Sequence, residues 1–313
     1  MDALADLLRA LQQPLRMFFD PTERVFWPSI AAALALVGLA MGLGPALVAL
    51  RRGLFARRIW AHPSTRTDIT LLFAKAIGAA LVQVPWLAAT AAASLELALA
   101  LHRGIGPAPE LGGSPLAITI VYTIVLFVAW DLSRFALHWA MHASPRLWAF
   151  HQVHHSAEVL TPLTLYRTHP VETALYELRG LVTTAAVTGV FLWLFRGAAV
   201  EWQLFGVNAL GFAFNAIGGN LRHSHVWLRF GRLERWLLSP AQHQLHHGRE
   251  RAQQNANYGT WLAVWDRWLG TWRPAPREPI ARYGLDDANH RPDSVASILL
   301  APVRAAISRA RSA

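Results

Sequence analysis

The pattern His-x-x-His-His occurs twice in this 313-residue chain, at His151, His154 and His155 and again at His243, His246 and His247, and a further pair stands at His138 and His142. On a helix, residues three and four apart share a face with β-carbons about 5–6 Å apart, so their side chains can converge on one ion. Imidazole is also the commonest metal ligand near neutral pH. No single helix of this kind completes a coordination shell, so the three segments are required to meet in space. The clusters supply eight ring nitrogens, and His223 makes nine. A tetrahedral zinc needs about four ligands, and the surplus points to two metals of higher coordination number. His225 is a tenth candidate, either a ligand or a hydrogen-bonding residue at the rim. Eleven of the fourteen histidines lie between 138 and 247. His62, His102 and His290 lie outside and read as ordinary core or interfacial residues.

The chain has no cysteine, which excludes disulfides, thiolate zinc sites, iron–sulfur clusters and cysteine nucleophiles. Acidic residues near the clusters are few: Asp131, Glu158, Glu172, Glu234, Glu250 and Asp266. A ferritin-type site needs a glutamate from each of several helices, so an all-imidazole or nearly all-imidazole site is expected instead. No His-Glu-x-x-His is present, which removes the commonest zinc-protease signature. Asp131 precedes His138 by seven residues on the same helical face. It is expected either to accept an N–H from a ligand imidazole or to pair with Arg134. His169, just before Pro170, is expected to support a ligand rather than to be one. Glu172, Asn257 and Asp266 are expected to orient ligands or lock the surrounding loops, with a helix cap or an ion pair as an equal alternative for Asp266.

Only 15% of the residues are charged and 54% are apolar, whereas a soluble domain carries about 25% charged residues. Five stretches are candidates for membrane spans: 27–50, 69–101, 115–137, 180–198 and 202–219. A span takes about 20 apolar residues rising about 1.5 Å each. The second stretch contains Pro85 and is expected to be one kinked or tilted helix. The last two are short, with Asn208, Asn215 and Gly218 interrupting the fifth, and are expected to form a shallow hairpin. The fold class expected is an all-α integral membrane protein of four to five transmembrane helices under a cytoplasmic histidine-rich helical cap.

Charge sets the orientation. Arg51, Arg52, Arg57, Arg58 and Arg66 stand against Asp68 alone, so the positive-inside rule places that loop and the cap in the cytoplasm and the N-terminus outside. Leu4, Leu7, Leu8 and Leu11 read as an amphipathic helix lying on the surface, and Ser294 to Arg311 as a basic amphipathic helix on the cap's leaflet. The formal charge of +10 comes from arginines beside apolar spans, which fits anionic lipid headgroups rather than nucleic acid.

Several runs resemble the membrane-bound fatty acid hydroxylase and sterol desaturase family of histidine-box di-iron oxygenases. Asp131 to His142 is similar to its first box, and Leu147 to Ser156 to its second. Arg167-Thr-His169-Pro170-Val-Glu172 is similar to a recurring segment, and His223-Ser224 to a third histidine position. Pro240 to His247 resembles the closing box, leading into Asn257-Tyr258-Gly259 and Trp265 to Thr271. The resemblance covers about 115–273 and defines three regions: 1–114, an interfacial helix with two spans; 115–273, the catalytic domain; and 274–313, the basic tail. Phe135, Trp139 and His225 depart from the residues common in the family. The resemblance implies two iron ions, dioxygen as co-substrate and a separate redox protein as electron donor, since no haem or flavin module is evident. The activity implied is hydroxylation, or desaturation, of an aliphatic position of a membrane lipid. The competing readings are a zinc-dependent membrane hydrolase and a metal-transport or metal-buffering protein. A transporter would hold its ligands at mid-membrane, whereas these lie at helix ends.

Overall fold

The computed structural model describes residues 12, 14–21, 23, 25–81, 85–109, 111–195, 203–204, 207–286 and 294–311. The amphipathic helix expected around Leu4 to Leu11 lies outside them. In chain order the elements are α1 (Trp27–Met41), α2 (Leu43–Arg52), α3 (Arg57–Trp60), α4 (Pro63–Leu81), α5 (Trp86–Ile105), α6 (Pro115–Ala143), α7 (Pro145–His155), α8 (Pro170–Phe195), β1 (Gln203–Leu204) and β2 (Val207–Asn208). They continue with α9 (Ala209–Ala216), α10 (Pro240–His246), α11 (Arg251–Gln254), α12 (Val264–Leu269) and α13 (Val295–Arg311). Apart from the antiparallel pair β1–β2, the architecture of the described residues is helical.

Serine–proline pairs set where the important helices begin. Ser114-Pro115, Ser144-Pro145 and Ser239-Pro240 open α6, α7 and α10, each serine capping the backbone three residues on. Proline at the first helical position gives up an N–H that has no partner there, and the serine oxygen satisfies another. Ser144-Pro145 therefore breaks α6 from α7 between two histidine clusters and lets them face each other.

Among the described residues, α6 and α8 are the two helices long and apolar enough to cross a membrane. With 29 and 26 residues at about 1.5 Å each, both exceed the ~30 Å hydrocarbon core. Their outward faces are apolar: Val121, Ile124, Val125, Val128 and Leu132 on α6, and Leu178, Val182 and Val190 on α8, are exposed. A helix that shows water-averse side chains outward while burying Asp131 and His138 inward is arranged for lipid. The excess length of α6 carries His138 and His142 to its far end.

The other apolar stretches come out differently. Residues 27–50 break into α1 and α2 at Gly42, whose φ of 77° falls in the region glycine alone enters freely. The stretch 69–101 is not one kinked helix but α4 and α5, with Pro85 capping the second; a proline fits a helix start far better than an interior. Residues 203–216 give two short strands and the eight-residue α9.

Helix α5 runs along α8, and α8 packs against α6. Gly189 makes the first contact possible, since a β-carbon there would stand 2.8 Å from Leu97 Cβ and 2.8 Å from the Ser94 carbonyl. Helix α13 packs on α7 and α4, where Ile298 clusters with Leu71 and Val153, while Leu300, Val303 and Ile307 stay exposed. Its inner face thus buttresses the helix that carries His151, His154 and His155. Gly180, on the same helix as Gly189, has open space around it, and the two glycines make a matched test. Gly189→Val is expected to destabilise the fold by about 1–3 kcal/mol through overpacking, whereas Gly180→Ala should leave it unchanged or stabilise it by up to about 1 kcal/mol. Thermal unfolding in detergent compares them directly.

Candidate metal centre

Nine histidines converge in two adjoining groups. The first holds His138, His142, His151, His155 and His246, and the second His154, His223, His243 and His247; within each group the candidate ligand atoms all lie within 4.8 Å of one another. Each His-x-x-His-His triplet is divided between them. On α7, His151 and His155 reach the first group and His154 the second; at α10 the division is reversed, with His246 in the first and His243 and His247 in the second. Adjacent residues on a helix point about 100° apart, so the neighbours His154–His155 and His246–His247 serve different groups. The rings of His155 and His247 stack across the boundary, centroids 4.6 Å apart at 20°.

The donor set fits two metal ions. His138 Nε2 stands 3.1 Å from both His151 Nε2 and His246 Nε2. In the second group His223 Nε2 is 3.2 Å from His154 and from His247 and 3.0 Å from His243. Two imidazole nitrogens about 2.1 Å from one ion at a right angle are about 3.0 Å apart. Both ring nitrogens of His155 and Nε2 of His142 are buried without a hydrogen-bond partner among the described residues, a costly state that ligation would relieve at one nitrogen of each ring.

On four of the rings the opposite side is held by an acceptor. Nδ1 of His138 donates to the Tyr258 carbonyl (2.6 Å), that of His246 to the Ala256 carbonyl (2.7 Å), that of His154 to the Arg167 carbonyl (3.3 Å) and that of His151 to Glu172 Oε1 (2.8 Å). A proton fixed on Nδ1 leaves the Nε2 lone pair free for a metal. His243 differs: Arg222 donates to its Nδ1 at 2.6 Å.

Burial decides the charge state. It pushes His154 down to about 3. His155, His243, His246 and His247 are also held well below the usual histidine range, by burial first and then by His247, Arg222, His151 and His154 respectively. These rings are neutral at physiological pH, the form that binds metal.

The supporting residues predicted from the sequence are placed as follows. Glu172 Oε1 lies 2.8 Å from His151 Nδ1. Asp131 does neither of the things expected of it: it accepts from the backbone of Trp261 (3.0 Å) and Leu262 (3.1 Å) and from Trp265 Nε1 (2.9 Å), tying α6 to the loop before α12. Arg134 instead donates to Thr260 Oγ1 at 3.0 Å. His169 supports no ligand ring; its Nε2 donates to the Leu299 carbonyl at 3.0 Å and its Nδ1 accepts from Val171, joining α8 to α13. His225 belongs to neither group. It accepts from the Leu160 backbone at 3.1 Å and packs on Tyr283, and burial, with Arg58 and His62, lowers it to about 4. Asp266 accepts from Tyr258 (2.8 Å), Gly259 (2.7 Å) and Thr271 (2.7 Å), and Asn257, at φ 58°, accepts from Arg273; together they fix the turn that presents the Tyr258 carbonyl to His138. Sequence reasoning missed Arg222, and it missed that Arg167, ion-paired to Asp68 at 2.9 Å, offers its carbonyl to His154. Both depend on contacts between distant segments that no local spacing announces.

Glu172→Gln keeps the shape but weakens the acceptor for His151, and is expected to lower metal affinity about 10–100-fold in chelator competition. The acid response of the metal-free protein follows from the lowered histidines. Above about pH 6.5 they are neutral in both folded and unfolded chains. Below it the unfolded chain takes up protons that the fold refuses, so stability falls from pH 6.5 towards about 3, by up to about 1.4 kcal/mol per pH unit for each histidine. Chelated protein should therefore melt at a lower temperature at pH 5.5 than at pH 7.5.

Residues 123–271 match the family model described as fatty acid hydroxylase. The ornithine lipid hydroxylase OlsE of Rhizobium tropici is 30% identical over 174 residues, 55% of this chain and 46% of that protein. Alkylglycerol monooxygenases of Danio rerio and Homo sapiens are 31% and 30% identical over 160 and 159 residues, 51% of this chain and 32% of each relative. The chain thus spans less than half the length of these relatives. No solved structure matches. The matched segment contains Asp131, all nine gathered histidines and Glu172, and over it the chain is similar to the fatty acid hydroxylase family.

Proposed function

We propose that this protein hydroxylates, or desaturates, an aliphatic position of a membrane lipid, using dioxygen and a di-iron centre held by His138, His142, His151, His155 and His246 on one side and His154, His223, His243 and His247 on the other. The observation that carries the reading is the pair of buried, nearly all-imidazole groups at the end of an apolar helix whose outward face suits lipid. Bound iron would supply the power to oxidise an unactivated C–H bond with dioxygen. The chain's own residues supply the rest. Glu172 and the carbonyls of Tyr258, Ala256 and Arg167 hold the ligand rings and fix their protons on Nδ1. Burial excludes water that would quench the reaction.

Electrons would come from a separate redox protein, since the chain has no recognisable haem or flavin module. We place the histidine cap on the cytoplasmic side, supported by the arginine-rich loop at 51–66, with anionic headgroups against those arginines. Four to five crossings remain the reading for the whole chain, with α6 and α8 its best-supported members. A zinc hydrolase is the weaker alternative, because it would leave most of the nine imidazoles without a role and has no open three-ligand site beside a general base. The test is mass spectrometry of lipids from a host expressing wild type or His154→Ala under labelled dioxygen. Wild type should yield a lipid gaining one labelled oxygen, or one losing two hydrogens, and the variant neither. Purified protein containing one zinc and no iron after iron-replete anaerobic preparation would overturn the oxygenase reading.

A further inference from the structure

Two short elements at the edge of the cap turn their acids inward and their apolar side chains outward. On the 3-10 turn Gly231–Arg235, Glu234 is buried and accepts from Ser239 and from the backbone of Phe230 and Ala275. On α12, Asp266 is buried and accepts from Tyr258, Gly259 and Thr271. What this edge shows to the outside is Leu233, Trp236, Trp268 and Leu269, together with Arg232, Arg235 and Arg267. Trp236 is 62% exposed and Trp268 77%, although a tryptophan is among the side chains with most to gain from leaving water.

The two elements form one surface. Arg267 lies over the Trp236 ring at 5.4 Å and donates to the Arg235 carbonyl at 3.3 Å. The Ala263 N–H donates to the Trp236 carbonyl at 2.9 Å, and the rings of Trp265 and Trp268 meet edge to face at 5.2 Å. Large apolar side chains and cations share this face, and the acids of both elements are withdrawn from it.

Its position selects the occupant. Trp261 packs on Phe127 of α6, centroids 5.4 Å apart, and Trp261, Leu262 and Trp265 all donate to Asp131. About 20 residues of α6 cross a ~30 Å hydrocarbon core, so, counted from Pro115, Phe127 and Asp131 lie within the span. The segment that leads into α12 therefore runs at the depth of the span's last turns. Backbone at that depth has to be satisfied by protein, which Asp131 does here. Tryptophan and arginine are also favoured between proteins, but a protein on this face would have to displace lipid from the adjoining flank of α6, where Val128 and Leu132 are exposed. Indole rings and arginines are side chains that the headgroup layer of an anionic leaflet accepts.

We infer that this face docks on the leaflet at the histidine-bearing end of α6, with Leu233, Trp236, Trp268 and Leu269 in the headgroup layer and Arg232, Arg235 and Arg267 on the phosphates of anionic phospholipid. The inference rests on α6 spanning the membrane and is independent of the oxidation chemistry. Docking bears on the metal centre too, because α12 carries the Asp266 that fixes the turn presenting the Tyr258 carbonyl to His138.

The chain has no cysteine, so single nitroxide labels report position. Leu233→Cys and Leu269→Cys probe the face and keep both tryptophans. Ala252→Cys on α11, which lies beside the far end of α6, is the aqueous reference, and Val128→Cys is the hydrocarbon reference. The full chain is placed in nanodiscs of phosphatidylcholine with or without phosphatidylglycerol, and relaxation by a water-soluble nickel chelate is compared with relaxation by oxygen. The chelate should act several-fold more weakly at Leu233→Cys and Leu269→Cys than at Ala252→Cys, and more weakly still when phosphatidylglycerol is present. Adding Arg232→Gln and Arg235→Gln should remove the dependence on phosphatidylglycerol. Chelate access at both face positions equal to that at Ala252→Cys overturns the inference. So does shielding accompanied by spin–spin broadening between chains, which identifies a second copy as the occupant. Shielding that is indifferent to phosphatidylglycerol, or a dependence that survives loss of both arginines, overturns the anionic-lipid assignment. Chelate access at Val128→Cys removes the span and the inference with it, while leaving the oxidation reading to its own test.

Discussion

Everything in this structure answers to the gathering of nine imidazoles, eight of them buried, into two groups. Nitrogens 3.0–3.2 Å apart repel unless a proton or an ion lies between them. One proton satisfies one pair, but the contacts here run as connected sets. Two ions satisfy both sets at once. Metal binding and folding would then be coupled: ligation at His138, His154, His223 and His246 would add to the hydrogen bonds that already hold their segments together.

The geometry is defined as much by the outer edges of the rings as by the inner. Three of the four acceptors on Nδ1 are backbone carbonyls, from Arg167, Ala256 and Tyr258. A carbonyl cannot be repositioned by a rotamer, so the loops that present it have to be rigid. Asp266 and Asn257 stiffen the 257–273 turn through five backbone and side-chain bonds, and Asp131 reaches across from α6 to clamp the adjoining loop. Helix α6 therefore holds both ends of the problem: it contributes His138 directly, and through Asp131 it steadies the loop region that presents the carbonyl on which His138 rests.

The ligands were legible because they are a local signal. A three-four spacing on a helix is visible in a string of letters, and two copies of it leave little room for accident. The division of each triplet between two groups also follows from helical geometry, once it is known that two groups exist. The supporting residues were not legible in the same way. Asp131 reads as a neighbour of His138 along one face, yet its carboxylate points at Trp265, 134 residues away. By proximity in sequence His169 reads as a support for a ligand and His225 as a ligand or a rim residue, and tertiary packing sends them to Leu299 and Leu160. The spans were blurred for another reason. Apolar composition cannot see a break such as that at Gly42, where a single backbone angle turns one apolar stretch into two short helices.

The two buried or partly buried arginine sites show how differently one structure treats the same charge. Arg167 has Asp68 at 2.9 Å, with Ser64 and Ser156 completing its bonds, while Thr161 and Thr164 hold the carboxylate. Such a pair contributes little net stability after desolvation, but it fixes the register of the 161–168 segment, and with it the carbonyl that His154 needs. Arg134 and Arg179 have aromatic faces and neutral acceptors and form no ion pair among the described residues, with the Glu177 carboxylate acting on Arg179 from further off. Aromatic stacking contributes about 0.5–2 kcal/mol for a cation, which does not match the cost of holding two guanidiniums within apolar helices. The rest is met by the Thr260 and Ser133 hydroxyls, the Trp130 carbonyl and the more distant Glu177 carboxylate.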